Sequence, residues 1–554
     1  MLQLKENIKP YGILLIFCII THGMLLLNDG NYWDGSMLSN LIQRQQWMVI
    51  KEWHFSSSVH YAYFLFFLLG HIWNPNFLIK ALSFLSLYAI SCCSFYLAKY
   101  YLKTPTTYAI FVAACTISLP IYYVLVSIVH FPYVSALAVF LLSWLLYLNG
   151  YFKNNLIHMV LAIILLTYSF NYNSLLVFHY GFICLFLYLT FDKYRPDNFV
   201  NSTLSFLKKN LIIFIMPIVF FILKRTFFKT YGLYNNYNQV TLFTHKAGYT
   251  FLSLIMDIRR EITRTIANIL TGLYLSVQDF WPIFILATFC IAIAIRKYVY
   301  TTEPRNDLFK ITPIFFLGAL LLIAAVLPYA AVGALVTSEV WTNRHAFLMG
   351  LPIALLLLSA LELIRNDSKR YAIGLIIVSS FVFITFYQYI TMQVCWIIDR
   401  SVIEVLHNIK PPTNGTTILT RYFNEISPLV PKSRSFYSQT LLFSKAWPGE
   451  KFLVIPVIAE SSGNEPQEIK KLISTFSRSV IMQTGLENYR SNNCTEKFYF
   501  FINPDISKFR MTIYYFYYKF THSNKLEPFL MNIVSLQQTK NCIKNAHMES
   551  VNEY

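Results

Sequence analysis

Charge is what this sequence lacks most: 13% of its 554 residues are Asp, Glu, Lys or Arg, against roughly 25% in an ordinary globular protein. By length alone a soluble chain of this size would divide into roughly three or four domains. The scarcity of charge excludes that reading, and with it a soluble enzyme, a disordered chain and a collagen-like chain. No GxxxxGK[ST] stretch is present, so nucleotide hydrolysis is not indicated, and neither HExxH nor GxSxG occurs. A chain of acids threaded through apolar runs, as in many proton-coupled transporters, is missing. So are internal repeats and low-complexity tracts.

Cysteine builds no disulfide framework. Cys18, Cys92, Cys93, Cys115, Cys184 and Cys290 lie inside apolar runs and Cys395 at the end of one, where Cys acts as a small hydrophobe. Only Cys494 and Cys542 fall in a polar region. They are the disulfide candidates if that region lies outside the cytoplasm.

What is present is apolar. Hydrophobic residues make up 56% and aromatic residues 17%, and the mean hydropathy is +0.48. The class this leaves is a polytopic α-helical membrane protein. The net charge of +18 sits mostly in short gaps between apolar runs, which fits loop anchoring and anionic lipid headgroups. No nucleic-acid motif accompanies it.

A span needs about 20 apolar residues. The runs predict about eleven transmembrane helices, at 11–27, 77–98, 107–126, 132–150, 155–171, 174–191, 210–223, 281–296, 311–330, 345–364 and 371–391. Runs 60–73 and 262–277 are too short or too polar to count. The first span reads as an uncleaved signal anchor, because no small-residue cleavage site follows it. Lys5 and Lys9 put the N-terminus inside. Alternation then places Lys99 and Lys103, Lys153, the group Lys193, Arg195, Lys208 and Lys209, the group Arg296, Lys297, Arg305 and Lys310, and the group Arg365, Lys369 and Arg370 inside as well. The gap 224–264, with Lys224, Arg225, Lys229, Lys246, Arg259, Arg260 and Arg264, falls outside against the rule.

The multi-span membrane domain is assigned to 1–395, with a first outside loop at 28–60 and a second long loop at 224–280. Residues 400–554 hold 30 charged residues in 155 positions, so 396–554 reads as a water-facing domain outside the membrane. Short β-type runs at 416–420, 452–459, 497–502 and 511–518, with a helix-like stretch at 466–483, predict a small α+β fold there.

Two segments could carry chemistry. In the first loop, Asp29 and Asp34 follow a span directly, with Tyr32 and Trp33 between them. Residues 36–50 space their apolar side chains as one helix lying in the interface, its other face offering Asn40, Gln43, Arg44 and Gln46. A carboxylate there can take a proton from a hydroxyl nucleophile. The plainer role is capping, with Asp34 as N-cap of a helix starting at Gly35 or Ser36. His54 and His60 flank Ser56, Ser57 and Ser58, too few ligands for zinc. They are polar loop residues near the headgroups, or hydrogen-bond partners of a sugar. In the second segment, Arg344 and His345 stand at the entrance of a late span, after Glu339 and Trp341. An Arg fork matches a phosphate, and snorkelling explains such a position equally well. Lys80, His22, His179 and Glu362 lie near span ends, within reach of the interface.

Together, the acid-bearing loop NDGNYWDGSMLSNL, the many spans, the late NRHAFLMGLPIALLL and the polar C-terminal domain resemble the GT-C superfamily of membrane glycosyltransferases. The chain is most similar to bacterial members that use polyprenyl-phosphate sugars. The resemblance implies transfer of a sugar from a polyprenyl-phosphate donor to a surface polysaccharide, glycolipid or protein acceptor outside the cell membrane. It implies Asp29 or Asp34 as general base, and Arg344, Lys224, Arg225 and Arg259 as holders of the donor phosphate. Trp33, Arg44, His54, His60 and His345 would touch substrate. No cofactor is assigned. Some members need a divalent cation and others none. The acids here are five apart, where the family often has an adjacent pair, which leaves the base open. A lipid-linked saccharide flippase or an O-antigen-type polymerase or ligase is the alternative, and a structural or assembly protein is a further one.

Overall fold

The computed structural model describes residues 2–191, 199–235, 311–332, 343–423, 436–456 and 494–542, apart from a few single positions, together with scattered helical positions between 256 and 289. The described residues are mostly helical, with one small sheet. Seven of the described helices are long and apolar enough to cross a membrane, and four shorter ones are also apolar. The chain is therefore a polytopic helical membrane protein in architecture. It divides into two compact units. The first holds residues 1–27, 54–125 and 130–389, and the second holds 28–53, 126–129 and 390–554.

The first unit contains α1 (Leu2–Leu27), α4 (His60–Gly70), α5 (Pro75–Tyr96), α6 (Thr106–Ser118), α7 (Phe131–Lys153), α8 (Leu156–Ser169), α9 (Ser174–Phe191), α10 (Phe199–Phe227), α11 (Ile311–Ala331) and α12 (Gly350–Glu362). A long helix, α13 (Asp367–His407), begins in it and passes to the second unit at Ile390. The short helix α3 (Trp47–Ser56) is likewise shared.

The expected run 107–126 stops at Ser118 because Leu119 turns extended (φ −52°, ψ 131°) in front of Pro120. Proline disfavours helical backbone in the residue before it. The runs 155–171 and 174–191 appear as α8 and α9, and 60–73, left uncounted above, is α4. The run 281–296 lies largely outside the described residues.

Close approach decides two glycines. A Cβ at Gly350 would come within 2.6 Å of the Thr116 carbonyl, so α12 meets α6 backbone to side. A Cβ at Gly150 would come within 2.9 Å of the Asn155 carbonyl, where α7 turns into α8 through left-handed Asn154.

The polar residues near span ends are buried within the first unit rather than exposed on its surface. His22 bridges the Tyr389 hydroxyl and the Ile117 carbonyl, each at 2.9 Å, and His179 contacts the Ile213 carbonyl at 2.9 Å. Lys80 and Glu362 are also buried. Arg370 joins Glu362 (3.4 Å) and Asp367 (3.0 Å) and donates to the Tyr108 hydroxyl at 2.7 Å. Low dielectric makes an unpaired group so costly that each is held by a partner.

The second unit contains α2 (Asp34–Gln43) and the C-terminal elements β1 (Thr416–Phe423), α14 (Phe436–Ala446), β2 (Phe452–Pro456), β3 (Cys494–Ile502), α15 (Lys508–Thr521), α16 (Leu526–Met531) and β4 (Val534–Cys542). The sheet order is β2-β1-β3-β4, with β1 parallel to β2 and β3, and β4 antiparallel to β3. A small sheet with strands at 416, 452 and 494 agrees with the sequence reading, but its three parallel strands, with α14 joining β1 to β2, give an α/β arrangement where α+β was expected. Cys494 and Cys542 are backbone register partners in the β3–β4 pair.

Two further expectations are corrected, and one strand was not anticipated. Residues 511–518, rich in β-favouring aromatics, are helical. Ser507 caps the Arg510 amide, and Met511, Thr512 and Tyr515 share the buried side at helical spacing. The strand 534–542, with VSLQQTKNC, was hidden by its polar residues. The helix expected over 36–50 is broken at Arg44–Gln46, where Gln45 takes φ 54° and the chain restarts as α3. The stretch 466–483 lies outside the described residues.

Candidate functional site

Both first-loop acids belong to the second unit, along with Trp33 and Arg44. The loop is built by short-range bonds. Asn28 accepts from the Gly30 amide at 3.0 Å, an Asx turn. It also donates to the Tyr32 hydroxyl, which donates onward to the Met392 carbonyl at 2.7 Å. Ser127 donates to the Tyr32 carbonyl at 2.9 Å, and a Cβ on Gly35 would sit 2.5 Å from the Ser127 hydroxyl. Any larger residue would have to displace that hydroxyl and its bond to Tyr32. Trp33 takes φ 50° and its ring lies 6.1 Å from that of Tyr32. Asp34 is not the N-cap. It is the first residue of α2, behind Trp33, where a carboxylate favours the helix dipole. Arg44 is exposed at the other end of α2.

This turn presents Asp29 to the C-terminal helices of its own unit. Its Oδ2 accepts from the Tyr515 hydroxyl at 2.7 Å and the Lys519 ammonium at 3.0 Å, and its Oδ1 is 3.4 Å from the Gln393 amide nitrogen. Arg400 Nη1 donates to the Tyr515 hydroxyl at 3.2 Å. Burial works against the charge on Asp29. The Tyr515 hydroxyl and the Lys519 ammonium outweigh it and hold the carboxyl below its usual range. Tyr515 is pushed well up by burial and by the adjacent carboxylate, so it remains a donor. The result is an ionised, oriented carboxylate with one oxygen occupied and the other lightly held. Sequence reasoning missed Tyr515, Lys519, Gln393 and Arg400. The available signal was the four-residue spacing of Tyr515 and Lys519, which places them on one helix face once 508–521 is read as helix.

The remaining candidates fall in the first unit. Lys224, near the end of α10, is 9% exposed and donates to the Asn171 carbonyl at 2.7 Å. That carbonyl is its one hydrogen-bond partner among the described residues, and no carboxylate there pairs with it. Next along the chain, the Tyr172 hydroxyl donates to the Arg344 carbonyl at 3.3 Å and meets the Tyr329 hydroxyl, which also bonds Ser174 at 2.8 Å. His345 stacks on Tyr329 with centroids 4.6 Å apart. The turn between α8 and α9 thus carries Lys224 on one residue and the Arg344 segment on the next.

His60 stands at the same end of the unit, its ring 4.7 Å from Phe228 just past α10. His54 is buried against Phe66 at 5.5 Å, and burial together with His60 brings its pKa down to about 3. A neutral, stacked imidazole is a packing element. Arg225 is exposed, and Arg259 is helical and exposed. Neither joins the Lys224 cluster by a described contact. Lys246 and Arg264 lie outside the described residues. No cluster of three His, Cys, Asp or Glu side chains stands together among the described residues.

No protein-family model, curated protein or solved structure matches the chain.

Proposed function

We propose that the chain is a membrane glycosyltransferase of GT-C type, moving a sugar from a polyprenyl-phosphate donor to a hydroxyl of a surface polysaccharide, glycolipid or protein. The observation that carries the reading is Lys224. A buried lysine amine with one neutral acceptor and no described carboxylate is costly to hold charged unless an anion arrives. The acceptor's neighbour on the same turn, Tyr172, bonds the backbone carbonyl of Arg344, and in this reading Arg344 supplies the second cation to the phosphate. As the glycosidic bond breaks, negative charge grows on the phosphate, and fixed cations stabilise that charge. The second requirement is a base. Asp29 is ionised and fixed in rotamer by Tyr515 and Lys519, with Oδ1 lightly engaged. Asp34 remains the other candidate.

In this reading the acceptor hydroxyl passes its proton to the Asp, attacks the anomeric carbon from the face opposite the phosphate, and the polyprenyl phosphate leaves with inversion. The N-terminus is cytoplasmic and the second unit faces outside, in a bacterial inner membrane.

The leaving group gives a test that needs neither the sugar nor the acceptor. Purified protein in detergent is expected to bind polyprenyl phosphate more tightly than the uncharged polyprenol, and Lys224→Met to remove most of the difference. Equal binding of the two lipids by the native chain would reject the phosphate site. The base is tested separately: Asp29→Asn or Asp34→Asn, in a chain that still inserts, is expected to abolish decoration of the cell surface. Normal decoration with both variants rejects an Asp base.

A further inference from the structure

We propose that the outer face of α15 lies in the headgroup layer of a lipid bilayer. The proposal goes beyond the transferase reading and does not depend on it.

The helix is inverted for a water-facing element. Its inner side, with Met511, Thr512 and Tyr515, is buried in the second unit. At about 100° per residue, Ile513, Tyr517 and Phe520 gather on the opposite side. They are 45%, 50% and 66% exposed, and Tyr514 beside them is 47% exposed. A solvated helix face would carry charge there. This one carries mostly aromatic and aliphatic side chains, with Arg510 as its single charge, in the first turn of the helix.

The chemistry of the face selects lipid. Tyrosine has an apolar body and a wet hydroxyl, and is enriched where hydrocarbon meets headgroups. With Lys519 engaged by Asp29, the segment from 505 to 527 still holds Lys508, Arg510 and Lys525 against Asp505 and Glu527. Its excess of positive charge complements anionic phospholipid. The long apolar helix α13 runs on from the first unit into this one. An amphipathic helix of this kind lies in the interface plane with its apolar side in the acyl boundary. Its inner side holds Asp29 through Tyr515 and Lys519. Bilayer contact on one face would therefore steady the helix whose other face fixes the carboxylate.

The test uses the full chain in vesicles of phosphatidylethanolamine and phosphatidylglycerol. A photoactivatable phospholipid, with its reactive group near the headgroup, is irradiated with the unaltered protein. The tryptic peptide Met511–Lys519 is expected to carry the lipid adduct. Absence of adduct there, while peptides from the spans are labelled, overturns the proposal. Independently, nitroxides are placed by Tyr517→Cys, Phe520→Cys and Glu527→Cys in a chain whose native cysteines are replaced. Positions 517 and 520 are expected to collide more with oxygen than with an aqueous nickel chelate, and 527 the reverse. Aqueous accessibility at 517 and 520, or shielding from both reagents as a protein partner would give, overturns it.

Discussion

Each unit holds a short network around an acid, and the two are of different kinds. In the first unit Glu362 and Arg370 have side chains 4% and 5% exposed, and the guanidinium is also tied to Tyr108 and the Ile364 carbonyl. In the second unit the Asp29 and Lys519 side chains are 31% and 28% exposed. A buried pair recovers its desolvation cost only through complete hydrogen bonding, so breaking it is expensive. A half-exposed pair is screened by water and contributes little to stability. What it can do is orient a group while leaving that group reachable. The first network is architecture, and the second has the properties of a site.

That contrast can be broken by mutation. Arg370→Met leaves Glu362 buried without its cation and is expected to destabilise by about 3–5 kcal/mol, read as thermal unfolding in detergent. An effect no larger than that of Lys519→Met would erase the distinction. Gly350→Ala pushes a methyl against the Thr116 carbonyl and is expected to cost about 1–3 kcal/mol, a packing effect confined to the first unit. Lys519→Met should cost only about 1 kcal/mol, while removing the group that helps keep Asp29 ionised. Smallest of all, Arg44→Ala at its exposed position should stay within about 0.5 kcal/mol.

Acidity sharpens the same comparison. The folded pKa of Asp29 is depressed, so its stabilisation is present above the ordinary carboxylate range and is lost as pH falls through the depressed value. The melting-temperature gap between native chain and Asp29→Asn should therefore be full at neutral pH and shrink on acidification. A gap that widens in acid contradicts an ionised, paired Asp29.

Much of the first unit was legible because its signal is local. An apolar run long enough to cross a bilayer is visible residue by residue, and so is Pro120, whose effect ends α6. The second unit was harder. The run 511–518 reads as strand by aromatic content, and the burial of Met511 and Tyr515 made it helix. VSLQQTKNC carries few apolar residues and was not among the expected strands, yet it pairs with β3 over its full length. Intrinsic β-preference mostly reflects fit to a packed, pleated surface, and that surface did not exist until the chain folded.

Sequence alone determined the membrane class, the acid-bearing first loop and the polar C-terminal region, because composition and hydropathy follow from the residues themselves. Tertiary structure decided that residues 28–53 belong to the same compact unit as the chain from Ile390 onward. It also decided that Asp29 meets Tyr515 and Lys519, 486 and 490 residues away. Contacts of that separation depend on which surfaces are left to bury, and no local pattern encodes them.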